Sequence, residues 1–105
     1  MLMARMKSVF WSKLRLGGLK LILAAYEAGG SIWIEEAFGR GISRDTIYRL
    51  DDLEELGLIR VEKRSLLNRA RTYITLTELG RKIGEHLKAI DDLAPSLEDN
   101  EGGEE

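Results

Sequence analysis

Residues 41–83 read GISRDTIYRLDDLEELGLIRVEKRSLLNRARTYITLTELGRKI, and the hydrophobic period changes within them. Ser43 stands as an N-cap before Arg44 to Leu56, where Ile47, Leu50 and Leu53 recur at three-residue steps; the spacing predicts a helix with one buried face, stopped by Gly57. From Leu58 the period falls to two. Ile59 and Val61 alternate with Arg60 and Glu62, and Ile74 and Leu76 alternate with Tyr73 and Thr75, which is the pattern of strands half-buried on a sheet. The intervening Lys63 to Arg71 is too short for a crossover helix, so the strands are expected to form an antiparallel hairpin with a polar, basic, flexible loop. Thr77 with Glu78 then opens a last helix, with Leu79, Ile83, Leu87 and Ile90 along one side, which ends before Pro95.

Toward the N-terminus, Leu2 to Leu16 is amphipathic at helical spacing, through Leu2, Met6, Val9 and Phe10. Gly17-Gly18 is expected to interrupt this helix, and Leu19 to Ala28 to form a second, central one closed by Gly29-Gly30. Ser31 to Phe38 reads either as a short helix capped by Ser31 or, over Ile32 to Ile34, as a brief strand, and Gly39-Arg40-Gly41 as a tight turn. The fold class is therefore mainly α with a small β-hairpin (α+β). Residues 1–16 form an N-terminal helical extension, 17–94 the main domain with its C-terminal helix, and 95–105 an acidic tail too polar to offset the entropy of ordering itself.

Composition narrows the function. The chain has 105 residues, 44% apolar and 32% charged, which suits one globular domain. Cysteine is absent, which excludes disulfides and thiolate metal sites. No stretch reaches the roughly 20 apolar residues of a membrane span, so the expected location is cytoplasmic. The lack of glutamine and cysteine, with arginine outnumbering lysine ten to six, hints at a thermophile. The net charge of −2 hides segregation: residues 91–105 carry seven acids and no base, leaving +5 on the rest. A mildly basic body with an acidic end is compatible with nucleic-acid binding.

The order helix, short helix, tight turn, helix, basic hairpin, helix points to duplex DNA as partner. A second helix held away from the body fits the major groove, which is about one helix wide. With Ile47, Leu50 and Leu53 inward, Arg44, Asp45 and Tyr48 point outward and Arg49 lies on the flank. Arginine can donate to guanine, aspartate can accept from cytosine, and tyrosine can meet a phosphate or a thymine methyl. Ser43, Arg44, Asp45, Thr46, Tyr48 and Arg49 are the candidate recognition residues. Asp51, Asp52, Glu54 and Glu55 keep the second half of the helix off phosphate. Residues 60–71 carry a net +4, and Lys63, Arg64, Asn68, Arg69 and Arg71 are the candidate contacts of a basic wing. Leu66 and Leu67 at its tip would pack on a partner, fold back on the body, or wedge into the minor groove.

Residues 41–83 resemble the winged helix-turn-helix core of PadR-like and MarR-like transcriptional regulators. The resemblance is carried by Thr46-Ile47-Tyr48-Arg49 at the start of the recognition helix, Leu53-Glu54-Glu55-Leu56-Gly57-Leu58-Ile59 closing it into the wing, and Leu76-Thr77-Glu78-Leu79-Gly80 leading to the last helix. It implies a sequence-specific regulator, typically a repressor, binding a pseudo-palindromic site as a homodimer. Residues 1–16 and the single C-terminal helix do not match either family's dimerisation elements, so neither a small-molecule effector nor a dimer geometry follows.

Independently, Leu79, Ile83, Leu87 and Ile90 offer an apolar seam for a homodimer, or for packing on the chain's own first helix. Nothing points to an enzyme or a cofactor. His86 is the single histidine, and the adjacent acid pairs, such as Glu35-Glu36, diverge by 100° on a helix. Trp11 and Trp33 read as core or interface anchors. The rival function is a winged helix used for protein contacts in a larger assembly. A third, single-strand or RNA binding, calls for exposed aromatics, for which Tyr48 is the good candidate in sequence.

Overall fold

The computed structural model describes residues 6–96. Its elements in chain order are α1 (Ser8–Glu27), β1 (Ser31–Trp33), α2 (Ile34–Gly39), α3 (Arg44–Tyr48), α4 (Leu50–Glu55), β2 (Ile59–Leu66), β3 (Arg69–Leu76) and α5 (Glu78–Leu93). The three strands form one antiparallel sheet in the order β1-β3-β2, so the fold is α+β. None of the described helices is long and apolar enough to cross a membrane. The core gathers Leu14, Leu21 and Ile22 of α1, Ile32 of β1, Leu53 of α4, Leu58, Ile59 of β2 and Ile74 of β3, all essentially without solvent contact.

The N-terminal helix departs from expectation in an informative way. Gly17-Gly18 does not end it; the break lies at Arg15, whose φ of 58° and ψ of 171° leave the helical region, and the helix resumes through both glycines. Steric contact explains why glycine is there. A Cβ on Gly17 would overlap the Thr46 hydroxyl of α3, and one on Gly18 would come within 2.9 Å of the Leu53 side chain of α4. The pair is therefore where α1 crosses the α3–α4 pair at close range, and Leu14 and Leu21 flank that crossing in the core.

Residues 31–38 follow the strand alternative first, over Ser31–Trp33, and a helix begins only at Ile34; Ser31 does not cap it, because its hydroxyl bonds Thr75 across the sheet. The strand pairs with β3 through Ser31↔Thr75, Ile32↔Ile74 and Trp33↔Tyr73. The helix expected over residues 44–56 is two short helices. At Arg49 φ is −110° and ψ 21°, and the chain tightens to i→i+3 hydrogen bonds, Arg49 N to Thr46 O and Asp52 N to Arg49 O, both 3.0 Å.

The hairpin is also more regular than expected. Residues 63–71 are not a flexible loop but mostly strand, paired from Ile59↔Leu76 out to Leu66↔Arg69. Only Leu67 and Asn68 turn the chain, with φ of 51° and 67°, the two left-handed residues of a two-residue hairpin turn. Beyond Val61 and Ile74 the ribbon leaves the core, so its polar composition hid the strands.

Thr77 caps α5, accepting a hydrogen bond from Gly80 N at 3.0 Å while donating to Gly57 O at 2.6 Å. The helix lies on α1, with Gly84 so close to Tyr26 that a Cβ would sit 2.8 Å from the tyrosine Cβ. Ile83 and Leu87 are half-buried against the chain's own core, as the alternative of packing on the first helix expected, and Leu79 and Ile90 are exposed. The expected order–disorder boundary falls mostly outside the described residues, since only Pro95 and Ser96 of the acidic tail lie within them.

Gly17→Ala should cost about 1–3 kcal/mol, the usual penalty for overpacking. That corresponds to roughly 4–8 °C of Tm per kcal/mol for a chain of this size. Gly39→Ala, with open space around its Cβ position, should leave the Tm unchanged or higher. Thermal unfolding followed by circular dichroism distinguishes the two.

Candidate nucleic-acid interface

The leading end of α3 is built by a local cap. Ser43 is extended, and its hydroxyl accepts the Thr46 N–H at 3.3 Å, which starts the helix and leaves Arg44, Asp45 and Tyr48 facing solvent. Tyr48 is 78% exposed. The Arg44 guanidinium lies 5.4 Å from the centre of the Phe38 ring, so the α2 surface steadies it from one side.

Two of the six expected recognition residues do not share this face. Thr46 is only 6% exposed, because it fills the crossing against Gly17. Arg49 is half-buried and folded back between Asp45, 3.5 Å from its Nε, and Asp52, 3.9 Å from Nη1. It lines a small recess with Lys13, Gly18 and Leu53 beside α1. The outward set is therefore Ser43, Arg44, Asp45 and Tyr48.

Strand alternation divides the β2–β3 ribbon. Ile59, Val61 and Lys63 of β2, opposite Leu76, Ile74 and Thr72 of β3, form the inner side; Arg60, Glu62 and Arg64, opposite Thr75, Tyr73 and Arg71, form the outer side. Lys63 borders a groove of about 310 Å³ whose other walls include Ile47, Tyr48 and Asp51. Among the described residues of the ribbon, Lys63 is the cation that shares this groove with α3. Arg64 and Arg71 point the other way. The Arg64 guanidinium lies 4.2 Å from the Tyr73 ring centre and its Nη2 is 2.8 Å from Glu62, while Arg71 lies 4.9 Å from the Trp33 ring centre and 3.2 Å from Glu35. Arg69 falls on the same outer side by register, and Asn68 occupies the apex.

Trp33, expected as a core or interface anchor, is half-buried on this outer face with its ring centre 4.5 Å from that of Tyr73. The aromatic pair was missed in the sequence because its members lie 40 residues apart. Counting by twos outward from Ile74 would have found the division of the arginines. The first-turn backbone N–H of Glu35 holds its carboxyl below its ordinary value, helped by Arg71, so the Arg71–Glu35 contact is made by a charged acid near neutral pH. His86 is exposed on α5, and the described residues contain no group of acids and histidine able to hold a metal ion.

No protein-family profile matches this chain, and no curated protein is significantly similar to it.

Leu67 is 90% exposed at a left-handed backbone position that a branched side chain disfavours. It does not fold back on the body. Leu67→Asn, which suits that conformation, should raise the Tm by several degrees, consistent with about 1 kcal/mol of relieved backbone strain. An unchanged or lower Tm would mean that the apex carries no such strain.

Proposed function

We propose that this chain is a winged helix-turn-helix protein that binds duplex DNA and regulates transcription, most simply as a repressor. In this reading α3 enters the major groove by its N-terminal half. The β2–β3 ribbon lies alongside, with its apex toward the phosphate backbone or the adjacent minor groove. The observation that carries it is the shared groove of Tyr48 and Lys63: the C-terminal end of α3 and the inner side of the ribbon border one groove, which Asp51 also lines. Ser43, Arg44, Asp45 and Tyr48 would contact bases and phosphates, and Lys63 and Asn68 the backbone, while Arg69 lies on the outer side of the ribbon. Arg64 and Arg71 are already engaged on the opposite side and Thr46 is buried, so the contact set is narrower than the sequence implied. The cluster Asp51, Asp52, Glu54 and Glu55 repels phosphate and limits insertion to the first turns.

The likeness to PadR-like and MarR-like regulators supports a homodimer on a pseudo-palindrome. So does an apolar groove of about 330 Å³ between α1 and α5, lined by Leu16, Leu19, Leu23, Leu87, Ile90 and Ala94, with Ile90 61% exposed. Exposed apolar surface of this kind marks association sites.

Titration with mixed-sequence duplex should give binding that weakens steeply with salt, each neutralised phosphate contributing a slope of about 0.9 in log–log form. Lys63→Ala should reduce that slope by about one unit, and Arg44→Ala should cost about 1–3 kcal/mol on a selected specific site. Absence of duplex binding at low salt would favour a winged helix docking on a protein. A monomer at sedimentation equilibrium would remove the dimer from the proposal.

A further inference from the structure

The outer face of the sheet carries a constellation that the duplex surface does not use. Trp33 of β1 and Tyr73 of β3 are register partners with ring planes tilted by 52°, and their faces are covered by two guanidiniums. Those guanidiniums belong to Arg64 and Arg71, which are themselves direct cross-strand partners. Like charges set opposite each other weaken a ribbon, so the pair is an odd choice for stability alone. Arg60 and Arg69 add two further cations to this side, and neither has an ion-pair partner among the described residues. Four arginines thus face Glu62 and Glu35, leaving an excess of positive charge around two flat rings.

We propose that this outer face binds single-stranded nucleic acid, with Trp33 and Tyr73 stacking on bases and Arg60, Arg64, Arg69 and Arg71 holding phosphates. The chemistry separates a single strand from a duplex. In a duplex the base faces are already stacked on one another, whereas an unpaired strand offers both a free π-face and a flexible phosphate chain. The ion pairs of Arg64 with Glu62 and of Arg71 with Glu35 are solvent-exposed and therefore weak, so phosphates can replace the carboxylates. A base entering over either ring meets a guanidinium plane that can stack on its other side. The site lies on the opposite side of the sheet from Tyr48 and Lys63, so it stands or falls independently of duplex binding.

The chain contains two tryptophans, so Trp11→Phe leaves Trp33 as sole reporter. The full-length Trp11→Phe protein is titrated at low salt with thymidine and uridine oligomers of about ten nucleotides, within the usual span of a sheet-based single-strand site. The expected result is saturable quenching of Trp33. Affinity should fall about tenfold or more in Tyr73→Thr and in the double variant Arg64→Thr, Arg71→Thr, and should be unchanged in Arg44→Ala. The threonines suit a solvent-facing strand, and a circular dichroism melt verifies folding; should Tyr73→Thr unfold, the exposed arginine pair carries the test. Absence of quenching, or oligomer binding that depends on Arg44 rather than on Arg64 and Arg71, would overturn the proposal, whether or not duplex DNA is bound.

Discussion

The crossing of α1 over the α3–α4 pair sets the position of everything that faces outward. Two adjacent glycines, Gly17 and Gly18, let the helix backbone approach Thr46 and Leu53 more closely than any residue with a Cβ could. Thr46 is consequently turned inward, and a helix turn later Leu50 and Leu53 complete the buried side. With those positions fixed, Arg44, Asp45 and Tyr48 have no freedom to lie elsewhere than on the exposed side. Arg49 lies on the flank of the same crossing, 3.5 Å from Asp45 and 3.9 Å from Asp52. A strained backbone at Arg15 accompanies this arrangement: its conformation is one that residues other than glycine rarely adopt, and it lies between the buried Leu14 and the glycine pair.

The second constraint is the pleat of the β2–β3 ribbon. A basic segment with a net +4 looks in one dimension like a single cationic patch, but alternation assigns its side chains to two faces. Lys63 falls toward α3. Arg60, Arg64, Arg69 and Arg71 fall away from it, and two of them lie over aromatic rings. A ribbon of this kind presents two chemically different surfaces joined at one apex, and the exposed Leu67 marks where they meet.

Much of the architecture was legible in the sequence because local chemistry determines it. Ser43 and Thr77 act as the N-caps their side chains suit, the period-two apolar residues Ile59, Val61, Ile74 and Leu76 form strands, and α5 ends before Pro95. Other features depend on contacts distant in sequence. Glycine has two uses, and only the fold shows that Gly17-Gly18 serves close packing rather than helix termination. Ile83 and Leu87 look the same in sequence whether they meet α1 or another chain. The length of the ribbon escaped notice because strands that leave the core no longer alternate apolar with polar residues. Of the expected site, Ser43, Arg44, Asp45 and Tyr48 share a face, while Thr46 and Arg49 owe their placement to α1. The residues expected to form a single basic wing surface are divided between two faces of the ribbon.

Chemical-shift mapping of the isotope-labelled protein against a duplex oligonucleotide is the most direct test of a contact surface joining α3 to the inner side of the ribbon. Amide and side-chain shifts should move at Arg44, Asp45, Tyr48 and Lys63 and stay in place on α5. Shifts confined to the α1–α5 groove, or an unperturbed α3 in the presence of bound duplex, would contradict it.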